Sequence, residues 1–186
     1  KAKEITQQEI PASNLVFLID VSGSMQDANK LDLLKQGFSL LTNQLRAQDK
    51  VSIVVYAGAS GVVLPPTQGN DKATILAALD KLTAGGSTAG AEGIELAYKV
   101  AAENYKKNGN NRVILATDGD FNVGISTDDQ LVKLIEEKRK SGVFLTVLGF
   151  GEGNLQAEKM EKLADNGNGN YAYVDNLMEA KKVLVN

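Results

Sequence analysis

Short apolar runs alternate along this chain with segments in which apolar residues recur at helical spacing. Apolar runs without an alternating polar face are typical of strands covered on both sides, as in a parallel sheet. Strands that alternate with helices form right-handed βαβ units, which build a doubly wound sheet. The predicted strands are Leu15–Asp20, Asp49–Tyr56, Asn111–Thr117, Val143–Gly149 and Tyr171–Asp175. The predicted helices are Lys30–Arg46, Asp71–Leu82, Ala89–Tyr105, Thr127–Lys140, Leu155–Asp165 and Asn176–Leu184.

One strand pair is expected to depart from this parallel pattern. The small residues over 57–61 predict a turn after the second strand, and Val62–Leu64 predict a short antiparallel return. Pro65 and Pro66 are expected to stop the hydrogen-bonded ladder, a device typical of edge strands. The sequence therefore predicts an α/β fold: a doubly wound, mostly parallel six-stranded sheet with one antiparallel edge strand and helices on both faces.

Two glycines lie early in the helix predicted over 89–105. Gly90 and Gly93 each lower helix propensity by about 1 kcal/mol relative to alanine. We expect that they are present because this helix closely approaches the sheet.

The composition indicates one ordinary globular domain. The 186 residues include 43% hydrophobic and 23% charged residues, which excludes a disordered chain. We expect a domain over 15–186 that follows a polar lead-in over 1–14. The chain starts and stops abruptly, so we expect it to be excised from a longer parent that carries any targeting or membrane segments. No apolar run approaches the roughly 20 residues of a membrane span, so this segment is not expected to insert into a membrane.

The residue types that the chain lacks exclude several kinds of catalytic site and metal site. The chain contains no histidine and no cysteine, which excludes Ser-His-Asp triads, histidine metal ligands, thiol catalysis and disulfides. The net charge is −3 and no basic run stands out. Nucleic acid is therefore not an expected partner, because phosphate binding needs clustered Lys and Arg.

Oxygen-bearing side chains follow the first predicted strand at the point where it ends. Asp20, Ser22 and Ser24 alternate with Val21 and Gly23, so three oxygens can converge just past the strand. A carboxylate and two hydroxyls are hard donors that suit Mg²⁺ or Ca²⁺. In an open α/β sheet, ligands bind at the carboxyl ends of strands where the strand order reverses.

Two later loops can complete such a site. The strand over 111–117 ends in Asp118, and the loop 85–88 precedes the helix that leads into this strand. If the two strands are neighbours across the switch point, Asp20 and Asp118 face one crevice, and Thr88 can project its hydroxyl into it. The predicted metal ligands are Asp20, Ser22, Ser24, Thr88 and Asp118.

This set resembles the metal-ion-dependent adhesion site of von Willebrand factor type A domains, and the order of helices and strands agrees with that family from Leu15 to the last helix. The sequences over 16–25, 85–90 and 115–122 look like those of bacterial type A proteins, which are often envelope-associated lipoproteins of poorly defined role. The resemblance implies a non-enzymatic, metal-dependent protein-binding module whose parent lies in the cell envelope.

The resemblance also implies a role for each ligand. Ser22, Ser24 and Thr88 would contact the metal through hydroxyls, while Asp20 and Asp118 would act largely through bound waters, or one of them directly. A sixth position would be left for water or for an Asp or Glu carboxylate of a partner protein. Because Mg²⁺ prefers near-octahedral oxygen ligands and keeps waters, it is the favoured ion, with Mn²⁺ or Ca²⁺ as alternatives.

Two other functions remain open. The first is an Mg²⁺-dependent hydrolase, because Asp20 after a strand is similar to the nucleophile of haloacid-dehalogenase phosphatases, although Ser22 stands where that family has a second Asp. The second is a structural domain with a vestigial site. A phosphate-binding loop over 149–153 is disfavoured, because it lacks the G-x-G-x-x-G spacing.

Overall fold

The computed structural model describes residues 11–21, 23–26, 28–57, 59–82, 90–117, 128–150, 157–174, 178–179 and 182. The strands are β1 (Ser13–Asp20), β2 (Lys50–Ala57), β3 (Ala59–Gln68), β4 (Asn110–Thr117), β5 (Phe144–Phe150) and β6 (Tyr171–Val174). The α-helices are α1 (Leu33–Asn43), α2 (Lys72–Asp80), α3 (Gly90–Glu103), α4 (Asp128–Arg139) and α5 (Ala157–Asn166). No helix in this described part of the chain combines the length and the apolar character that crossing a membrane requires.

The strands form one six-stranded sheet in the order β3-β2-β1-β4-β5-β6. Every neighbouring pair is parallel except β2 and β3, which are antiparallel. The predicted fold class and the antiparallel edge strand are therefore confirmed. Because β2 lies on one side of β1 and β4 on the other, the strand order reverses between β1 and β4.

Alternate residues of β1 face two separate apolar layers, which explains why its sequence is apolar without alternation. Phe17 and Ile19 pack with α1 and α2, where the Phe17 ring stacks on Phe38 at 4.1 Å between centroids. Val16 and Leu18 pack on the opposite face with α3, α4 and α5. The double cover predicted from the sequence is thus present at the central strand.

The edge hairpin differs from the prediction. β3 extends over Ala59–Gln68, so most of the predicted turn belongs to strands, and Pro65 and Pro66 lie within β3 without ending it. Ile53 pairs with Leu64 and Val51 pairs with Thr67, so the pairing resumes beyond the prolines after a shift in register. A β-bulge accommodates residues that cannot donate to the ladder, and prolines are tolerated because the outer side of β3 is an edge.

The first helix also differs from the prediction at its start. The chain forms a 3-10 turn over Gly23–Gln26 and a π-helical turn over Ala28–Asp32 before α1 begins. The predicted apolar stripe is nevertheless buried, with Leu34 and Phe38 completely inaccessible. The helix predicted over 176–184 falls mostly outside the described residues.

Gly93 confirms the expected close approach of α3 to the sheet. A Cβ atom at this position would lie 3.0 Å from Tyr56 Cβ and 3.2 Å from Leu18 Cδ1. For Gly90 the expected close approach stays a prediction, because its contacts lie outside the described part of the chain.

Tyr98 on α3 provides a stability prediction. Its side chain is 2% exposed, and its hydroxyl has no hydrogen-bond partner within the described residues. Burial also raises the pKa of Tyr98, because the phenolate would lose its hydration. We expect Tyr98→Phe to raise the free energy of unfolding by about 1 kcal/mol, because a desolvated hydroxyl is removed without loss of a hydrogen bond.

Urea titration of wild type and Tyr98→Phe measures this difference. Tyr105→Phe is the matched control, because Tyr105 is 48% exposed and its hydroxyl can be hydrated. A Tyr98→Phe variant that is less stable than wild type would contradict the prediction.

Candidate metal centre

The candidate centre lies where β1 and β4 end side by side. Ile19 of β1 pairs with Ala116 of β4, so the next residues, Asp20 and Thr117, occupy equivalent strand ends. This is the carboxyl edge of the sheet at its switch point, where open α/β sheets bind ligands. The condition on which the predicted site depends, that these two strands are neighbours across the switch point, is therefore met.

Asp20 is held at this edge by a residue that the sequence reading treated only as the end of a strand. Asp20 is completely buried, and the Thr117 hydroxyl donates a hydrogen bond to Asp20 Oδ2 at 3.0 Å. A buried carboxylate needs such partners, because it has lost hydration. Thr117 is therefore a positioning residue for Asp20. The sequence did contain a signal for this role. Successive side chains of a strand point to opposite faces, so Thr117 shares a face of the sheet with Val113 and Leu115, which pack on the α3 side.

The start of α3 lies over the same edge. Gly93, in the first turns of α3, approaches Tyr56, which pairs with Asp20 across the β1–β2 register. Thr88 precedes the first residue of α3 by two positions. The first turn of α3 thus lies at the end of the sheet that carries Asp20, and the predicted role of Thr88 stays a prediction.

The structure describes only part of the predicted ligand set. Asp20 is described fully, and the backbone of Ser24 lies in the 3-10 turn, but the Ser24 side chain is not described. Ser22, Thr88 and Asp118 lie outside the described residues. Their convergence with Asp20 remains a prediction.

Two described features near the end of β1 bear on the surroundings of Asp20 without testing the predicted ligand set. Met25, in the 3-10 turn that follows β1, is completely buried in the apolar core. Within the described residues, no group of three or more His, Cys, Asp or Glu side chains could hold a metal ion. The predicted set does not depend on such a group, because three of its donors are hydroxyls, which suit Mg²⁺ and Ca²⁺.

An open, mostly parallel sheet flanked by helices, with a buried aspartate at its switch point, defines a Rossmann-like α/β domain. The family model for the von Willebrand factor type A domain matches residues 14–185, and the chain belongs to this family. The resemblance of the sequence to von Willebrand factor type A domains is confirmed for the family, whereas its adhesion site stays a prediction. Domains of this family generally mediate protein–protein interactions.

Three known proteins illustrate the similarity. The uncharacterized protein YfbK of Escherichia coli K12 is 50% identical over 183 residues, which cover 98% of this chain and 32% of YfbK. The magnesium-chelatase 67 kDa subunit of Chlorobaculum tepidum is 28% identical over 87% of this chain and 28% of its own length. The crystal structure of BatB, a conserved hypothetical protein of Bacteroides thetaiotaomicron, superposes with a TM-score of 0.78 and 22% identity, covering 93% of this chain and 95% of that chain. This chain spans about a third of the length of the curated relatives it matches.

Proposed function

We propose that this domain is a non-enzymatic protein-binding module that uses a divalent cation to engage an acidic residue of a partner protein. The cation is Mg²⁺, with Mn²⁺ or Ca²⁺ as alternatives. The observation that carries the proposal is the buried Asp20 carboxylate, oriented by Thr117 at the switch point of the sheet. The residues proposed to hold the ion are Asp20, Ser22, Ser24, Thr88 and Asp118.

The donor set explains why the bound ion would attract a partner. Hydroxyl ligands are neutral, so two carboxylates are the only anionic groups near a divalent ion in this proposal. Carboxylates that act through bound water neutralise the ion less than directly bound ones, because attraction falls with distance. The ion therefore keeps affinity for an external carboxylate, and this is the chemistry it supplies when bound.

The composition of the chain and the name of one relative favour a protein-binding role over an enzymatic one. The chain lacks histidine and cysteine, and Ser22 stands where a phosphatase of the haloacid-dehalogenase type has its second Asp. One relative is by name a subunit of a magnesium chelatase, and a subunit role is compatible with a domain that binds other proteins. We place the parent protein in the cell envelope, as its resemblance to bacterial lipoproteins implies.

The metal half of the proposal is tested by calorimetric titration with Mg²⁺. We expect wild type to bind Mg²⁺ and Asp118→Ala to bind at least about tenfold more weakly, since loss even of an outer-shell partner weakens metal sites by about 10–100-fold. Asp80→Ala is the matched control, because Asp80 is an exposed aspartate at the end of α2. Equal Mg²⁺ binding by wild type and Asp118→Ala would contradict the proposed site.

The partner half is tested by capture from the envelope fraction of the host with and without a chelator. We expect proteins that bind the wild-type domain in Mg²⁺ to be lost on chelation and to be absent with Asp118→Ala. Capture that is insensitive to the chelator would favour a structural domain with a vestigial site. Hydrolysis of p-nitrophenyl phosphate that Asp20→Asn abolishes would instead favour the enzyme.

A further inference from the structure

A second candidate binding site lies at the opposite edge of the sheet from Asp20. A groove of about 490 Å³ opens between the end of α1 and the first residues of β1, β4, β5 and β6. Its floor includes Leu15 of β1, which precedes Asp20 by five residues and so lies roughly 16 Å from it along the strand, at about 3.3 Å per residue. The groove is therefore separate from the proposed metal centre.

Most of the groove surface is apolar. Leu15, Leu45 and Ile114 form buried parts of its lining, and the side chains of Leu41 and Ala172 border it. A volume of this size falls within the range of small-molecule sites, about 300–1,000 Å³. Such sites combine an apolar lining with a few polar groups that fix the orientation of the ligand.

Three charged residues of the described chain, Arg46, Asp49 and Arg112, line this groove, and Arg112 lies among the strands that form its floor. It pairs with Leu15 in the β1–β4 register, its guanidinium donates a hydrogen bond to the Thr146 hydroxyl, and it lies 5.8 Å from the centroid of the Phe144 ring. The side chain is half-buried, and desolvation lowers the pKa of Arg112. It nevertheless stays protonated, because arginine does not lose its proton in proteins.

No carboxylate within the described residues forms an ion pair with Arg112. Asp49 is the acidic residue among the described lining, and it is engaged elsewhere. Asp49 Oδ1 accepts hydrogen bonds from the Ser13 N–H at 2.8 Å and from Arg46 Nη2 at 3.3 Å, and its Oδ2 accepts one from the Arg46 N–H at 2.8 Å. Asp49 is thus engaged by Ser13 and Arg46, and the positive charge of Arg112 has no carboxylate partner among the described lining of the groove.

A guanidinium has five N–H donors in a planar fork that matches a carboxylate, and half-buried Arg112 uses one of them on Thr146 among the described residues. We propose that this groove binds a small organic monocarboxylate, with the carboxylate on Arg112 and an apolar body over Leu15, Leu45 and Ile114. A single negative charge balances a single guanidinium. A doubly charged phosphate would leave one negative charge over the apolar floor, where an unpaired charge is strongly disfavoured.

The test is titration of the ¹⁵N-labelled 186-residue chain with octanoate and with 1-naphthoate, followed by NMR in the presence of a chelator. We expect at least one of the two to bind in the millimolar range or tighter, with the largest shifts at Leu15, Arg112 and Thr146. Octanamide, which is uncharged, should bind octanoate's site at least about tenfold more weakly, because a hydrogen bond to a charged group contributes about 1.5–3 kcal/mol. Because metal is absent, failure here would not bear on the proposed metal centre.

Arg112→Met removes the charge and retains an apolar stem, and it should weaken carboxylate binding at least about tenfold. Arg112→Lys keeps the charge without the fork and should bind with intermediate affinity. Lys107→Met is the matched control, since it removes the same charge from an exposed turn outside the groove lining, and it should bind like wild type. The proposal is overturned if neither carboxylate binds, if octanamide binds as well as octanoate, or if Arg112→Met binds like wild type.

Discussion

Replacement of Asp20 by asparagine is expected to abolish most of the stabilisation that Mg²⁺ gives to this domain. Asparagine has nearly the same shape and can still accept the hydrogen bond from the Thr117 hydroxyl. It removes the negative charge, and we expect Mg²⁺ affinity to fall about 100-fold, the upper end of the effect of removing a group that supports a metal site. Wild type at a Mg²⁺ concentration of 100 times its Kd gains about 2.7 kcal/mol, whereas the variant at the same concentration gains about 0.4 kcal/mol.

The same substitution is not expected to destabilise the metal-free protein. Asp20 is completely buried, and holding a carboxylate out of water opposes folding unless it is fully compensated. Because Asp20→Asn removes the charge but keeps the acceptor for the Thr117 hydroxyl, it should be at least as stable as wild type in chelator. Opposite effects with and without metal would distinguish a metal-binding role from a purely structural one.

Denaturant unfolding of both proteins, with chelator and with saturating Mg²⁺, measures these differences. Asp80→Asn serves as the control, since it removes the same charge from an exposed position and should keep the full response to Mg²⁺. An Asp20→Asn variant that Mg²⁺ stabilises as much as wild type would show that Asp20 does not contribute to metal binding.

Gly169→Ala is expected to destabilise the fold by about 3 kcal/mol or more, at the upper end of the effects of overpacking. Gly169 lies between α5 and β6, and a Cβ atom there would overlap the carbonyl oxygen of Leu145 in β5. Its N–H donates to the Ala164 carbonyl at 2.9 Å, so the backbone is held in place from the α5 side. The overlap is with backbone, so no side-chain rotation can relieve it.

Gly61→Ala is the matched control for this prediction. No atom lies within 4 Å of a Cβ atom built on Gly61, so the effect should stay within about 0.5 kcal/mol, as for ordinary surface substitutions. Urea titration of the two variants and wild type gives both values. If Gly169→Ala were as stable as Gly61→Ala, the close packing of α5 and β6 against β5 would be wrong.

The local chemistry of individual segments was readable from the sequence. The unbroken apolar run of β1 predicted a strand covered on both faces, and Phe17 and Leu18 do face opposite layers. Gly93 predicted close packing of a helix, and its position against Tyr56 confirms this. Such features are predictable because the signal for each, an apolar run or a glycine within a helical pattern, lies within a few neighbouring residues.

The edge hairpin shows where local rules fail. Proline has no backbone N–H to donate to the hydrogen-bonded ladder of a sheet. This rule predicted a strand that stops at Pro65. The pairing of Val51 with Thr67 beyond the prolines depends on a bulge, and a bulge is a property of two strands together. The identity of the proline alone could not predict it.

The sequence by itself determined the kind of chemistry open to this protein. Without histidine or cysteine, hard oxygen donors are the metal ligands it offers, and the alternation of strands and helices predicted the sheet that carries Asp20 at a strand end. Only the tertiary structure decided which side chains meet. Thr117 reaches Asp20 across 97 residues, and Arg112 reaches Thr146 across 34. The physical reason is that hydrophobic periodicity is a local property, whereas the pairing of a buried charge depends on which strands become neighbours.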